Sequence, residues 1–93
     1  MEIEEITERI TPALQKYHIK RAGIFGSTAT GRTRKDSDID LLVEFGQQIS
    51  LLEFVGIKFE LEALLGVDVD LVEYQAIKPR LRERILSEEI RIY

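Results

Sequence analysis

The 93-residue chain contains no cysteine, no tryptophan and a single histidine, His18. Without cysteine there are no disulfides and no thiolate metal sites, and one histidine is too few for a metal site built from two imidazoles. The absence of cysteine also fits a reducing compartment, so we expect a cytoplasmic protein. His18 precedes the first predicted strand, and we interpret it as a surface residue at a helix end.

Long apolar runs and an excess of basic charge are missing as well. No stretch of about 18 apolar residues predicts a membrane span, and the N-terminus has no signal-peptide pattern. The formal net charge is −4, which argues against a general nucleic-acid-binding protein, because phosphate contacts require a basic surface. A hydrophobic fraction of 44% and a charged fraction of 32% predict one globular domain over residues 1–93.

Two carboxylates separated by one residue are the strongest functional signal. Asp38 and Asp40 open an apolar strand, and residues i and i+2 of a strand point to the same side, so the two side chains share a face. Such a pair can bind two Mg²⁺ ions about 3.5–4 Å apart, each also bound by phosphate oxygens. A solvent-exposed acidic strand face is the alternative interpretation, and a glycine-serine turn upstream favours the metal site.

That turn is Gly26-Ser27, and ten residues separate it from the Asp pair. Gly26 can adopt a positive φ and lets the backbone approach a ligand, while Ser27 offers a hydroxyl and an N–H to phosphate oxygens at a predicted helix start. In the predicted exposed loop of residues 31–37, Arg32 is either a solvated side chain or a contact to a triphosphate. Residues 26–33 nearly match the Walker A pattern, but a strand follows where that motif requires a long helix.

A second predicted strand, residues 67–72, offers a third carboxylate. Its apolar residues alternate with Asp68 and Asp70, so these two acids share the face opposite the core. Either one could complete a three-carboxylate metal site, and periodicity alone cannot choose between them.

The order of predicted elements is α-β-(turn or helix)-β-α-β-α, which indicates an α/β (α+β) fold with a mixed three- or four-stranded sheet. Residues 2–17 are helical in pattern, and Pro12 is expected to kink this helix or to begin a second one capped by Thr11. Residues 90–92 are expected to add a short edge strand.

Two more helices follow from capping signals. Ser50 and Glu53 form a capping box, and Gly66 ends the helix that they open. The apolar positions of that helix are Leu51, Leu52, Val55, Phe59, Leu61, Leu64 and Leu65. Pro79 begins the last helix, with Leu81 and Ile85 on its inner face.

Basic residues cluster along this last helix. They are Lys78, Arg80, Arg82 and Arg84, accompanied by one acid, Glu83. A solvated helix face is the simpler interpretation, and a docking surface for an acidic protein partner is the alternative.

The combination of Gly26-Ser27, ten residues, Asp38-x-Asp40 and a later Val-Asp70-Leu-Val resembles the minimal nucleotidyltransferases, small members of the polymerase-beta-like nucleotidyltransferase superfamily. The resemblance extends over nearly the whole chain and favours Asp70 over Asp68. It implies the polymerase-beta-like fold, ATP as substrate and two Mg²⁺ ions. Gly26 and Ser27 would hold the β- and γ-phosphates, and the three Asp residues would be the metal-binding and catalytic residues.

The resemblance also implies a partner. Small members of this family are similar to antitoxins that pair with HEPN toxins, and some transfer AMP to a tyrosine of the toxin. We therefore expect AMP transfer from ATP to a hydroxyl of a HEPN-family partner, with Asp70 helping to remove the hydroxyl proton. The alternative is a non-catalytic antitoxin that neutralises its partner by complex formation alone.

Overall fold

Four strands form one mixed sheet in the computed structural model, which describes residues 1–29 and 38–93. The strands are β1 (Ile19–Phe25), β2 (Ile39–Phe45), β3 (Val69–Glu73) and β4 (Ile90–Arg91), and their order across the sheet is β3-β2-β1-β4. Strand β1 is antiparallel to both β2 and β4, whereas β2 and β3 are parallel. The predicted mixed sheet is confirmed, including its short edge strand.

The helices are α1 (Ile3–Lys16), α2 (Gly26–Ala29), α3 (Leu51–Leu65) and α4 (Pro79–Glu88), and a 3₁₀ turn (Tyr74–Ala76) joins β3 to α4. Because parallel strands cannot be joined by a tight turn, α3 provides the crossover between β2 and β3. Within the described residues no helix is long and apolar enough to cross a bilayer.

Helix α1 runs without interruption through Pro12, so the predicted second helix capped by Thr11 is wrong. The Thr11 hydroxyl instead donates to the carbonyl of Thr7, 2.6 Å away, inside the same helix. Pro12 lies on the exposed side, while Ile10 and Leu14 on the opposite side are fully buried. We infer that burying this apolar face outweighs the one backbone hydrogen bond that proline cannot donate.

The main core lies on one side of the sheet, between the strands and helices α1 and α3. It contains Ile6, Ile10, Leu14, Ile24, Ile39, Leu41, Val43, Ile57, Leu61 and Leu65. A smaller cluster, formed by Leu42, Tyr74 and Ile77, lies on the other side of β2. Ile85 and Leu86 of α4 pack against it. Leu81, predicted for the inner face of α4, is exposed, because the apolar contacts of α4 with this cluster come from Ile85 and Leu86.

Helix α3 begins and ends as predicted. The Ser50 hydroxyl accepts a hydrogen bond from the backbone N–H of Glu53, whose side chain accepts one from the Ser50 N–H, and Gly66 ends the helix with φ 74°. Its apolar residues divide differently from the sequence pattern. Only Ile57, Leu61 and Leu65 are buried; Leu51, Leu52, Phe59 and Leu64 are exposed, because just one side of α3 faces the sheet.

Two leucine-to-alanine variants of α3 test this division. Leu61→Ala should lower the free energy of unfolding by about 2–5 kcal/mol, because it leaves a cavity in the core. Leu52→Ala, on the exposed side of the same helix, should change it by less than about 0.5 kcal/mol. Urea unfolding followed by circular dichroism measures both, and equal losses in the two variants would contradict the packing described.

Candidate active site

Two of the predicted site carboxylates lie side by side on neighbouring strands. Asp40 of β2 is the register partner of Asp70 of β3, and adjacent strands place such Cα atoms about 4.8 Å apart. The ladder starts where the N–H of Ile39 donates to the carbonyl of Asp68, 3.0 Å away. Because Ile39 and Leu41 face the main core, Asp40 points to the opposite side of the sheet.

Gly26 brings the backbone against the carboxylate of Asp40. Strand β1 ends at Phe25, which is the register partner of Asp40, and Gly26 follows with φ 69°. A Cβ atom at position 26 would lie 3.0 Å from Cγ of Asp40 and closer still to Oδ2. Both the positive φ and the lack of space therefore require glycine here. Ser27 belongs to α2, which begins at Gly26; its side chain lies outside the described part of the structure.

The remaining acids lie at the ends of the two strands. Asp38 immediately precedes β2 and Asp68 immediately precedes β3; both are exposed, as is Asp70, whereas Asp40 is half-buried. The register thus brings Asp70, and not Asp68, next to Asp40. Asp38, Asp40 and Asp70 all lie at the same end of the parallel strand pair.

Three carboxylate ligands do not converge into a ready-made metal cage anywhere in residues 1–29 and 38–93. The donor set itself fits Mg²⁺, which binds hard oxygen ligands and keeps coordination positions for phosphate oxygens.

Arg32 and the rest of the predicted basic loop lie outside the described residues, which end at Ala29 and resume at Asp38. Their contribution to triphosphate binding stays a prediction.

Tyr74 and Glu89 close the same sheet face beyond Leu42, and no pattern in the sequence marks either residue as chemically important. The phenol of Tyr74 donates a hydrogen bond to Glu89, whose side chain occupies the space that a Cβ atom at Gly23 would need. Burial, reinforced by this hydrogen bond, raises the pKa of Tyr74 above the ordinary tyrosine value. The neutral phenol therefore stabilises the contact below about pH 10, and that contribution is lost as the pH rises further.

A cavity of about 580 Å³ lies at the other end of β2, with Arg21, Glu44, Tyr74 and Arg82 among its lining residues. The Arg21 guanidinium stacks on the Tyr74 ring, 3.9 Å from its centroid, and bonds Glu44 at 3.2 Å. Glu44 lies further along β2 than Asp40 by a span of about 13 Å. The cavity is therefore distinct from the carboxylate site.

This arrangement of a glycine turn against paired carboxylates on a mixed sheet is that of a nucleotidyltransferase. The family model described as "Polymerase beta, Nucleotidyltransferase" matches residues 8–93, and the chain belongs to this family.

Its similarity to individual relatives covers nearly the whole length of each chain. The protein MJ0435 of Methanocaldococcus jannaschii, whose name assigns it provisionally to the protein adenylyltransferases, is 50% identical over 90 residues, 97% of each chain. The protein adenylyltransferase MntA of Thermococcus cleftensis is 38% identical over 90 residues, 96% of this chain and 91% of the relative. A solved structure described as a minimal nucleotidyltransferase superposes with a TM-score of 0.80 at 41% identity, covering 97% and 95% of the two chains.

More distant solved structures share the fold. One is described as a toxin-antitoxin with AMP-PNP, with a TM-score of 0.81 at 21% identity, and the match covers 94% of this chain and 72% of the other. Another is described as the tri-AMPylated HEPN toxin of Shewanella oneidensis in complex with its MNT antitoxin. It superposes with a TM-score of 0.75 at 18% identity, over 97% of this chain and 71% of the other.

Two glycine-to-alanine variants test the contact at Gly26. Gly26→Ala should destabilise the fold by about 1–2 kcal/mol from its positive φ alone, and it should also displace Asp40 and weaken Mg²⁺-ATP binding. Gly56→Ala is the control, because Gly56 is helical with open space around it and should gain about 0.5–1 kcal/mol. Urea unfolding and calorimetric titration with Mg²⁺-ATP measure the two effects, and a Gly26→Ala variant with unchanged nucleotide affinity would contradict this role.

Proposed function

We propose that this chain is a Mg²⁺-dependent nucleotidyltransferase that transfers AMP from ATP to a hydroxyl of a partner HEPN toxin and thereby acts as an antitoxin. The observation that carries the proposal is the register of Asp40 against Asp70 with the Gly26 backbone beside Asp40. Two carboxylates at one strand end and a backbone that can approach phosphate oxygens are what nucleotidyl transfer requires.

Each residue has a role in this proposal. Asp38, Asp40 and Asp70 would hold two Mg²⁺ ions, and Gly26 and Ser27 would position the β- and γ-phosphates of ATP. Bound Mg²⁺ would neutralise the triphosphate charge and lower the pKa of the attacking hydroxyl. Asp70, exposed at the edge of the sheet, would accept the hydroxyl proton. The hydroxyl oxygen forms a bond to the α-phosphorus as the bond to the bridging oxygen breaks, and pyrophosphate leaves.

The nature of the acceptor is supported by the relatives. Two of them carry the name protein adenylyltransferase, and one neighbour in fold is the antitoxin of an AMPylated HEPN toxin. A tyrosine hydroxyl of such a toxin is the acceptor that we propose. In this proposal AMP attached to that tyrosine inactivates the toxin covalently, in addition to any effect of complex formation.

The basic residues along α4 give little support to the alternative, which is an antitoxin that acts by binding alone. Two of its four cations have contacts within the chain: Arg82 donates to the carbonyl of Tyr74 at 3.0 Å, and Arg84 lies 3.8 Å from Glu88. Lys78 and Arg80 are exposed at its first turn. We therefore interpret α4 chiefly as a solvated helix that closes the Leu42 cluster.

A transfer assay tests the proposal. Wild-type protein is incubated with Mg²⁺, ATP labelled on the α-phosphate and the cognate HEPN protein, and the product is analysed by mass spectrometry. We expect an AMP-sized increment on the HEPN chain and a loss of about 100-fold or more in rate in both Asp38→Asn and Asp40→Asn. Equal rates in wild type and variants would refute the metal site. A stable complex without any transfer would favour the binding-only antitoxin.

A pair of aspartate variants decides which acid of β3 is the third ligand. Asp70→Asn should abolish transfer to the same degree as Asp40→Asn, because its Cα is beside that of Asp40. Asp68→Asn, two residues away and also exposed, should retain most of the activity. Stabilisation by Mg²⁺-ATP gives a readout without the partner: nucleotide at about 100 times its Kd should add roughly 2.7 kcal/mol in wild type and Asp68→Asn. The opposite ranking would assign the role to Asp68.

A further inference from the structure

Helix α3 exposes an apolar stripe on the side turned away from the sheet. Leu51 is 78% exposed, Leu52 is 83% exposed and Phe59 is 60% exposed, and the half-buried Val55 lies between them. The spacing of residues 52, 55 and 59 is that of one face of a helix. We call these four side chains the α3 patch.

The α3 patch differs from an ordinary solvent face. Helix α1, packed on the same side of the sheet, buries Ile6, Ile10 and Leu14 and exposes mainly charged or polar residues. The exposed residues of α1 include Glu4, Glu5, Glu8, Arg9 and Gln15. Single exposed leucines are common on protein surfaces, but a contiguous stripe that includes a phenylalanine indicates an interaction site.

Two small residues beside the patch add a second, independent observation. Gly56 lies in the middle of α3, and a Cβ atom there would meet nothing within 4 Å. A mid-helix glycine costs roughly 1 kcal/mol relative to alanine, and the packing of this chain gives no reason for it. Ala63, also exposed, follows seven residues later on the same face. Small side chains next to an apolar stripe form a groove on the helix surface, and a second helix can pack closely into such a groove.

The charge along α3 is mainly negative. The helix carries three glutamates, Glu53, Glu60 and Glu62, against one lysine, Lys58. Lys58 lies 3.4 Å from Glu62, so these two charges balance each other on one flank of the patch. Glu53 and Glu60, seven residues apart, lie along the other flank. Glu60 is 3.2 Å from Lys16 of α1, whereas Glu53 is exposed and hydrogen-bonds to the uncharged Ser50, so Glu53 contributes most of the negative charge that a partner would meet.

This charge favours a different protein over a second copy as the occupant. Two copies of a chain with net charge −4 would bring their acidic α3 helices together, and like charges across an interface disfavour association. A partner with a lysine or arginine beside its own apolar stripe would instead complement Glu53.

The patch lies on the side of the sheet opposite the carboxylate site. The inner residues of α3, Ile57 and Leu61, belong to the core that Ile39 and Leu41 also face, and Asp40 points the other way. A protein seated on α3 therefore does not lie over Asp40 or the Gly26 turn.

We propose that the α3 patch is the docking surface for a helix of the HEPN partner, one with an apolar stripe flanked on one side by basic residues. The identity of the partner rests on the proposed function, and the docking surface goes beyond it. Leu52 and Phe59 fill the centre of the interface, Gly56 permits the close approach, and Glu53 pairs with the basic flank.

The test compares two double variants that add the same charge. Leu52→Glu with Phe59→Glu should weaken binding of the cognate HEPN protein by about 30-fold or more, because both residues lie at the centre of the interface. Gln15→Glu with Gln75→Glu adds two carboxylates at exposed positions elsewhere and should change the affinity by less than about threefold. Calorimetry or biolayer interferometry measures the affinities, and unchanged circular dichroism and Mg²⁺-ATP stabilisation show that the patch variant is folded.

A milder variant tests the charged flank. Glu53→Gln removes the charge but keeps a side-chain oxygen that can accept the hydrogen bond from the Ser50 N–H, so the capping box is preserved. It should weaken binding by about threefold at low salt, and the difference from wild type should shrink at high salt. An affinity unchanged at low salt would remove Glu53 from the interface.

Further outcomes separate the inference from the proposed function. Asp40→Asn should bind the HEPN protein as wild type does. An affinity for the HEPN protein that is unchanged by Leu52→Glu with Phe59→Glu would refute the docking surface and leave the proposed function intact. Failure of the wild type to bind the HEPN protein would remove the proposed partner and this inference together. Wild-type homodimers that become monomers in the patch variant would overturn the choice of partner, because the occupant would then be a second copy.

Discussion

Parallel pairing of β2 with β3 is the constraint on which the candidate site depends. The pairing is set by α3, which must cross between the two strands and bury Ile57, Leu61 and Leu65 against the sheet. The Glu62 carboxylate accepts a hydrogen bond from the N–H of Val69 at 2.9 Å, which fixes where β3 begins and holds the pKa of Glu62 below its usual range. Because side chains alternate along a strand, a slip of one residue would move Asp70 to the core side.

The features of this fold that the sequence predicts are local ones. The capping box at Ser50, the αL end at Gly66 and the alternation that sets Asp40 opposite Ile39 and Leu41 each depend on residues within a few positions of one another. Asp38, predicted to open the same strand, lies just before it. Gly26 was also predicted as a point of close backbone approach, although the sequence does not reveal that the group approached is the carboxylate of Asp40. The choice of Asp70 over Asp68 required the family resemblance, because it depends on the register between two strands.

The structural features that could not be predicted from the sequence depend on packing between residues that are far apart in the chain. The apolar residues of α3 have no sequence feature that distinguishes the buried Leu61 from the exposed Leu52; only the position of the sheet does. Similarly, Tyr74 and Glu89 are 15 residues apart and meet because α4 returns across the face that carries Leu42. Helix α1 continues through Pro12 for the same reason. Local propensity did not decide whether the helix continues past the proline, and burial of one face of the helix does.

The proposed docking surface and the carboxylate site lie on opposite faces of the sheet. Binding of the partner and transfer of AMP to it can therefore take place at separate surfaces. If a toxin helix occupies the α3 patch, nucleotide binding at Asp40 and partner binding do not compete for space. The acceptor hydroxyl must then reach the carboxylates around an edge of the sheet, and β3 is an edge strand. β3 carries Asp70 and follows α3 in the chain, so the path from the patch to Asp70, the proposed proton acceptor, passes around this edge. In this geometry docking raises the local concentration of the acceptor, and transfer of AMP follows as an intramolecular step within the complex.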